Sequence, residues 1–185
     1  MAAQLRHVDP NRRPGVFVRV YAALAATRFA KFVSRHVSWK IDPMLLRVTG
    51  GRVATTIVFP TALLETRGAR SGIRRRNAII YFHDGDRVTI AASNAGAANH
   101  PAWYYNLCAH PDVTFGGIPM RATVVTDPAE LERLWGLADR VFPTFANYRR
   151  DAVKAKRTIP IVQLTPSQPT DVTNGQPAPT GEPRN

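Results

Sequence analysis

Asn77-Ala78-Ile79-Ile80-Tyr81-Phe82-His83-Asp84-Gly85-Asp86-Arg87-Val88-Thr89-Ile90-Ala91-Ala92-Ser93 sets two apolar runs on either side of an Asp-Gly pair. Asp-Gly is a strong hairpin signal, since the tight turns that join antiparallel strands need positive φ at their centre. The stretch is therefore read as two antiparallel strands, Asn77 to Phe82 and Arg87 to Ser93. Before it, Val53 to Phe59 and Ala62 to Thr66 are short strand-like runs parted by Pro60. After it, Val113-Thr114-Phe115 and Met120 to Thr126 form a second hairpin across Gly116-Gly117, and Ile159 to Leu164 supplies a last strand.

Helices fall between these strands. Pro101 is expected as the first residue of a helix to about Ala109, closed by His110-Pro111-Asp112. Asp127-Pro128-Ala129-Glu130 reads as N-cap, proline at N1 and an acidic first turn, opening a helix with Leu131, Leu134, Trp135 and Ala138 on one side. Pro143 breaks it, and a further helix carries Phe145, Tyr148 and a basic end through Arg157. The sum is an α+β protein, a small, partly open antiparallel β-barrel with peripheral helices. A Rossmann or P-loop fold is disfavoured, because G-x-G-x-x-G after a first strand, G-x-x-x-x-G-K-[ST] and regular βαβ alternation are all missing.

At 185 residues, 44% hydrophobic and 21% charged, the chain has the composition of one globular domain with tails. The net charge of +12 favours nucleic acid, anionic lipid or a polyanionic small molecule as partner. Ten Lys/Arg against Asp9 and Asp42 lie before residue 53, so most of the excess is N-terminal. Three segments follow: a basic tail and amphipathic helix over 1–40, the domain proper over 41–166, and a proline-rich tail over 167–185 expected to be disordered. In the first, Arg28, Lys31 and Arg35 line one helical face while Phe29, Phe32, Val33 and Val37 share another. Such a helix suits either an anionic membrane surface or its own domain. The charges of Arg19, Arg28, Lys31 and Arg35 rule it out as a membrane span, and Arg19 also argues against a signal peptide.

The single cysteine, Cys108, excludes intramolecular disulfides, fits a reducing, cytoplasmic compartment, and is expected as a buried inert thiol. The five histidines have no metal-ligand spacing, so no metal is assigned. Two loops carry the chemistry. Arg67-Gly68-Ala69-Arg70-Ser71-Gly72-Ile73-Arg74-Arg75-Arg76-Asn77 is a glycine-bracketed basic loop built like an anion cradle, with arginine forks suited to phosphate or carboxylate. Ser93-Asn94-Ala95-Gly96-Ala97-Ala98-Asn99-His100-Pro101-Ala102-Trp103-Tyr104-Tyr105-Asn106 is a small-residue loop entering an aromatic helix. Two such loops at adjacent strand ends suggest one cofactor site.

The order of these segments, with Thr66 before the first loop, Asp84-Gly85-Asp86-Arg87 between them and Leu107 and Pro111 after, resembles the deazaflavin-dependent nitroreductase family. Its members are split β-barrel proteins, related to FMN-binding barrels, that use reduced coenzyme F420. The likeness runs from about Asp42 to Val162. It implies that Ala69, Arg70, Ser71 and Arg75 hold the phosphate and acidic tail of the deazaflavin. It places Ala91, Ala92, Ser93 and Asn94 along the ring and Ala102, Trp103, Tyr104, Tyr105 and Asn106 at its other edge, with Asn77 and Phe145 as further cofactor-binding residues. Hydride would pass from the reduced coenzyme to a small-molecule electron acceptor, quinone-like, nitroaromatic or otherwise conjugated, with Tyr148, Ser93 and Tyr104 as candidate donors.

This chain departs from the usual family pattern at Ala69, where an arginine is common, with Arg74 and Arg76 as candidate compensation, and at Asn94-Ala95. Phe142 and Phe145 cannot donate hydrogen bonds, which favours a quinone-like acceptor over a nitro group. The resemblance also implies a homodimer, and the N-terminal helix allows peripheral contact with the inner face of the membrane. Two other readings stand beside this one: a non-catalytic F420 or FMN carrier, and a nucleic-acid-binding barrel in which Trp103, Tyr104 and Tyr105 stack bases. Nucleic acid is not the expected partner, since consecutive aromatics on a helix point in different directions.

Overall fold

The computed structural model describes residues 5–12 and 59–167. The expected amphipathic helix, the run from Val53 to residue 58, and the tail beyond Ser167 lie outside the described residues. Six antiparallel strands, β1 (Thr61–Arg67), β2 (Arg74–Asp84), β3 (Arg87–Ala91), β4 (Asp112–Phe115), β5 (Ile118–Val124) and β6 (Ile161–Pro166), close into a barrel in the order β1-β2-β3-β6-β5-β4. The sequence suggested a partly open barrel. It closes because Leu64 and Glu65 of β1 pair with Phe115 and Thr114 of β4, removing the free edge.

Both hairpins form where the turn residues place them, with Asp84 opposite Arg87 and Phe115 opposite Ile118. β2 starts at Arg74, earlier than its apolar run suggests, because the arginines pair across to Thr66 and Arg67. β3 ends at Ala91, before Ser93. The alternation of β1 sends Ala62, Leu64 and Thr66 inward. Inside the barrel Leu64 meets Tyr81, Ile90, Phe115, Val162 and Leu164, each contributing about 1.5–3 kcal/mol through the apolar surface it buries.

Helix α1 (Ala102–Ala109) follows Pro101, which is the N-cap and not the first helical residue. It adds Trp103 and Leu107 to the barrel core. Helix α2 (Pro128–Val141) is capped by Asp127, whose carboxylate accepts the Glu130 N–H at 2.8 Å. Helix α3 (Phe145–Lys154) ends three residues short of Arg157. The two pack a second core against the outer face of the barrel, where Phe82, Ala91 and Ile161 meet Leu134, Ala138, Phe142, Phe145, Tyr148 and Ala152.

The N-terminal residues join the barrel as well. The Val8 carbonyl accepts the His83 N–H at 2.9 Å, the Val8 N–H donates to His83 Nδ1 at 3.1 Å, and Tyr81 Oη donates to the Arg6 carbonyl. Leu5 and Val8 pack against the core. They lie where β1 no longer covers β2, since β1 pairs with Arg74–Ile80 only.

Candidate functional site

The β1–β2 loop turns more tightly than a backbone anion cradle would. Gly68 N–H donates to the Ile73 carbonyl at 2.9 Å, and Gly72 N–H donates to the Gly68 carbonyl at 2.8 Å. Ala69 N–H is held by Asn106 Oδ1 at 3.0 Å, and Ile73 N–H by Ser71 Oγ at 3.3 Å. Four of the loop's N–H groups, those of Gly68, Ala69, Gly72 and Ile73, are already bonded, so side chains carry the larger share of anion recognition. Only Gly72 has positive φ. Gly68 is needed for close approach instead, because a Cβ there would stand 2.6 Å from Ser71 Oγ.

Strand alternation then sorts the arginines. Arg74 and Arg76 both reach Glu65, at 3.3 and 2.9 Å, and are not free to stand in for the arginine replaced by Ala69. Arg75 is opposite Thr66 and shares its face, while Arg70 projects from the exposed loop. Among the described residues neither Arg70 nor Arg75 has a carboxylate partner. Asn77, two residues on, shares that face and is opposite the fully buried Leu64.

β3 is paired with β2 only over Tyr81–Asp84, so among the described residues the ladder of Arg74–Ile80 runs to β1 alone. Beside that unpaired edge the chain leaves β3 through the buried Ala91 and Ala92 into a turn at Ser93–Gly96. Asn94, Ala95 and Gly96 are all left-handed, with φ of 47°, 50° and 76°. Asn tolerates this region, but for Ala it costs about 1–3 kcal/mol. Gly96 presses on α3: a Cβ would stand 2.9 Å from Asp151 Cβ and 3.1 Å from the Tyr148 carbonyl.

Arg157, which no sequence pattern singles out from a basic helix end, is buried. Its Nη1 donates to the Ala92 carbonyl at 3.1 Å and meets His100 Nδ1 at 3.0 Å, and Nη2 donates to the Ser93 carbonyl at 2.6 Å. Burial, then the Arg157 charge, lowers the pKa of His100. The His100 ring lies 4.9 Å from that of Tyr104 and 5.9 Å from that of Tyr105.

Helix α1 sits between the two loops. Asn106, buried, accepts from Ala69 and donates through Nδ2 to Thr66 Oγ1 at 3.1 Å, so its amide holds the basic loop. Trp103 is core, Tyr104 half-buried, and Tyr105 and Ala102 exposed. Three consecutive aromatics in three environments make no base-stacking platform. Cys108 is exposed, contrary to the expected buried thiol, because α1 buries only Trp103, Asn106 and Leu107. Tyr104 is raised in pKa by burial and then by its hydrogen bond to Cys108.

Phe145 and Tyr148 belong to the outer core. Burial, then the Asp151 carboxylate, raises the Tyr148 pKa, so its phenol keeps its proton at neutral pH. Tyr148, Ser93 and Tyr104 are not joined to one another by hydrogen bonds among the described residues. Two groups thus form: Ala69, Arg70, Ser71, Arg75 and Asn77 tied to α1 by Asn106, and Ala91–Asn94 tied to α3 through Gly96 and to α1 through Arg157 and His100. Two arginines, Arg70 and Arg75, without carboxylate partners among the described residues, beside a strand edge that no described strand pairs and a turn of small residues, fit a flat ring with an anionic tail. No group of His, Cys, Asp or Glu that could hold a metal occurs among the described residues.

The family model of F420H(2)-dependent quinone reductases matches residues 39–166. An F420H(2)-dependent quinone reductase of Mycobacterium tuberculosis (strain ATCC 25618 / H37Rv) is 32% identical over 147 residues, covering 74% of this chain and 97% of that one. Among solved structures, an F420-H2 dependent reductase superposes with a TM-score of 0.50 at 29% identity, covering 57% of this chain and 93% of that one. Another, described as a domain-swapped dimer, superposes with a TM-score of 0.51 at 25% identity, covering 68% and 96%.

Proposed function

Because this chain belongs to the F420H(2)-dependent quinone reductase family, we propose that it reduces a quinone-like acceptor with reduced coenzyme F420, bound between the basic loop and the Ser93–Gly96 turn. It is an F420H2-dependent oxidoreductase with the split-barrel fold. The observation that carries the proposed site is the pair of arginines, Arg70 on the loop that Asn106 fastens to α1 and Arg75 on β2 just after it, which have no carboxylate partner among the described residues.

Arg70 and Arg75, with the Ser71 hydroxyl, hold the phosphate and acidic tail by charge-assisted hydrogen bonds, while Ala69, its N–H bonded to Asn106, lines the loop beside them. Asn77, Ala91, Ala92, Ser93 and Asn94 lie along the ring, where small side chains let the backbone approach it. Ala102, Tyr104 and Tyr105 border its other edge, supported from beneath by Trp103 and Asn106, while Phe145 is set in the outer core with α2 and α3. The chemistry the coenzyme supplies when bound is a hydride. The protein's part is to set the acceptor against it, exclude water and provide donors to the acceptor oxygen that gains charge. Tyr148, Ser93 and Tyr104 are the proposed donors, and the two phenols stay protonated because burial raises both. Phe142 and Phe145 make the nearby wall apolar, which suits a quinone better than a nitroaromatic acceptor.

The proposal extends to a cytoplasmic homodimer, for which the domain-swapped neighbour is the support. Peripheral membrane contact through the basic N-terminal helix is proposed from sequence, and no described helix is long and apolar enough to cross a membrane. Liposome co-sedimentation that survives deletion of residues 1–37 would remove that contact. The function itself is tested by fluorescence titration with oxidised F420 and, in parallel, FMN. Binding of F420 and not FMN, followed by quinone-dependent oxidation of reduced F420, is the expected result. A preference for FMN, or no binding, overturns it.

A further inference from the structure

Arg157 is an expensive residue for a barrel to keep. It is 8% exposed, its Nε is buried without a hydrogen-bond partner, and no carboxylate among the described residues pairs with it. A guanidinium stays charged even where burial lowers its pKa, as here. A buried cation satisfied only by carbonyls and an imidazole does less for stability than a well-packed apolar side chain of similar size. What it does accomplish is geometric. The chain leaves α3 through Lys156, at φ of 56°, and Arg157 N–H returns to the Ala152 carbonyl at 2.9 Å, fixing the point from which the side chain enters. The guanidinium then holds the carbonyls of Ala92 and Ser93, the two residues just before the three left-handed positions of the turn.

We infer that Arg157 is a positioning residue for the cofactor-binding turn, tying the end of β3 to His100 through a contact that only neutral His100 completes. This rests on the proposed placement of F420 at that turn. An arginine N–H can only donate, so His100 Nδ1 is the acceptor and the imidazole proton sits on Nε2. Protonation puts a donor on Nδ1, facing a donor, and two positive charges in contact. The rings of Tyr104 and Tyr105 approach His100 from α1, the Ser93–Gly96 turn has no titratable side chain, Asp151 of α3 packs against Gly96, and the two influences on the His100 charge are burial and Arg157. The turn is therefore complete at neutral pH and loosened in acid.

The test uses the full chain with Arg157→Lys and His100→Asn, the latter keeping an acceptor near the Nδ1 position. F420 binding is measured by fluorescence titration across the acid range at a temperature where each variant is folded, and imidazole ¹⁵N shifts are recorded without coenzyme. Expected are an unprotonated His100 Nδ1 in the wild type, affinity that falls as the pH drops, a pH-flat profile in His100→Asn, and affinity about tenfold weaker in Arg157→Lys, the worth of one lost hydrogen bond to a charged group. A folded Arg157→Lys with wild-type affinity and wild-type pH slope, whatever its melting temperature, overturns the inference. A protonated Nδ1 in the wild type does so too. A wild type that fails to bind F420 at any pH removes the proposed function first, and the positioning role with it.

Discussion

Asn106 Oδ1, on α1, accepts the Ala69 N–H of the β1–β2 loop at 3.0 Å, while the same amide donates to Thr66 Oγ1 at 3.1 Å. One buried side chain thus fixes the distance between the basic loop and the aromatic helix. Asn106→Ala leaves the buried Thr66 hydroxyl and the part-buried Ala69 N–H without their partner and should cost about 1–3 kcal/mol of stability. F420 affinity should fall as well, because the loop loses its anchor. Asn106→Asp, which retains the Ala69 acceptor, should fall between wild type and Asn106→Ala in both thermal denaturation and titration.

The four arginines after Gly68 should not behave alike. Arg70→Ala and Arg75→Ala should each weaken F420 binding by roughly tenfold or more, with a salt-dependent loss, as expected for a removed charge-assisted contact. Arg74→Ala and Arg76→Ala remove exposed pairs with Glu65, worth at most about 1 kcal/mol, and should change affinity little. Equal effects at all four positions in the titration would point to a diffuse field and sink the assignment.

Gly96→Ala sets a Cβ 2.9 Å from Asp151 Cβ at a φ of 76°. The turn or α3 must shift, with a loss of about 1–3 kcal/mol by chemical denaturation. If the turn borders the ring, F420 affinity drops in the same variant. Affinity that is unchanged would separate the turn from the site.

His83 should make stability pH-dependent. Burial, then the neighbouring His7, lowers its pKa from the ordinary 6.5, and its Nδ1 must be unprotonated to accept the Val8 N–H. The unfolded chain therefore takes up the proton more readily than the folded one. The stabilisation is fully present above the unfolded pKa and is lost as the pH falls below it toward the folded one. His83→Asn, which keeps an acceptor, should lessen the fall in melting temperature between neutral pH and about pH 5. An undiminished slope would assign the effect to other groups.

Turn chemistry and apolar alternation carried most of the fold in the sequence. Asp84-Gly85, Gly116-Gly117 and the Asp127-Pro128 cap stand where the structure has them, because those features are local. Closure of the barrel was not legible, since it depends on Leu64 and Glu65 meeting a strand some fifty residues later. The docking of Leu5 and Val8 is equally non-local. In the candidate site, Arg70 and Arg75 could be picked from the basic run, but their separation from Arg74 and Arg76 required the register with Glu65. Arg157 looked like one more basic residue after a helix, and no periodic pattern distinguishes a guanidinium that turns inward. The exposure of Cys108 is not legible either, because hydrophobic neighbours in sequence do not fix which side of a short helix faces the core.

Leu5 lies so close to Gly116 that a methyl group at that glycine would collide with it, and Val8 lies against both cores. The family match starts only at residue 39. The stretch that the family model recognises and the stretch that packs together therefore have different borders in this protein. A clone trimmed to the recognisable family region would keep every proposed coenzyme contact and still lose part of its hydrophobic interior. A dead or aggregated preparation of that kind would reflect the missing segment and say nothing of the chemistry.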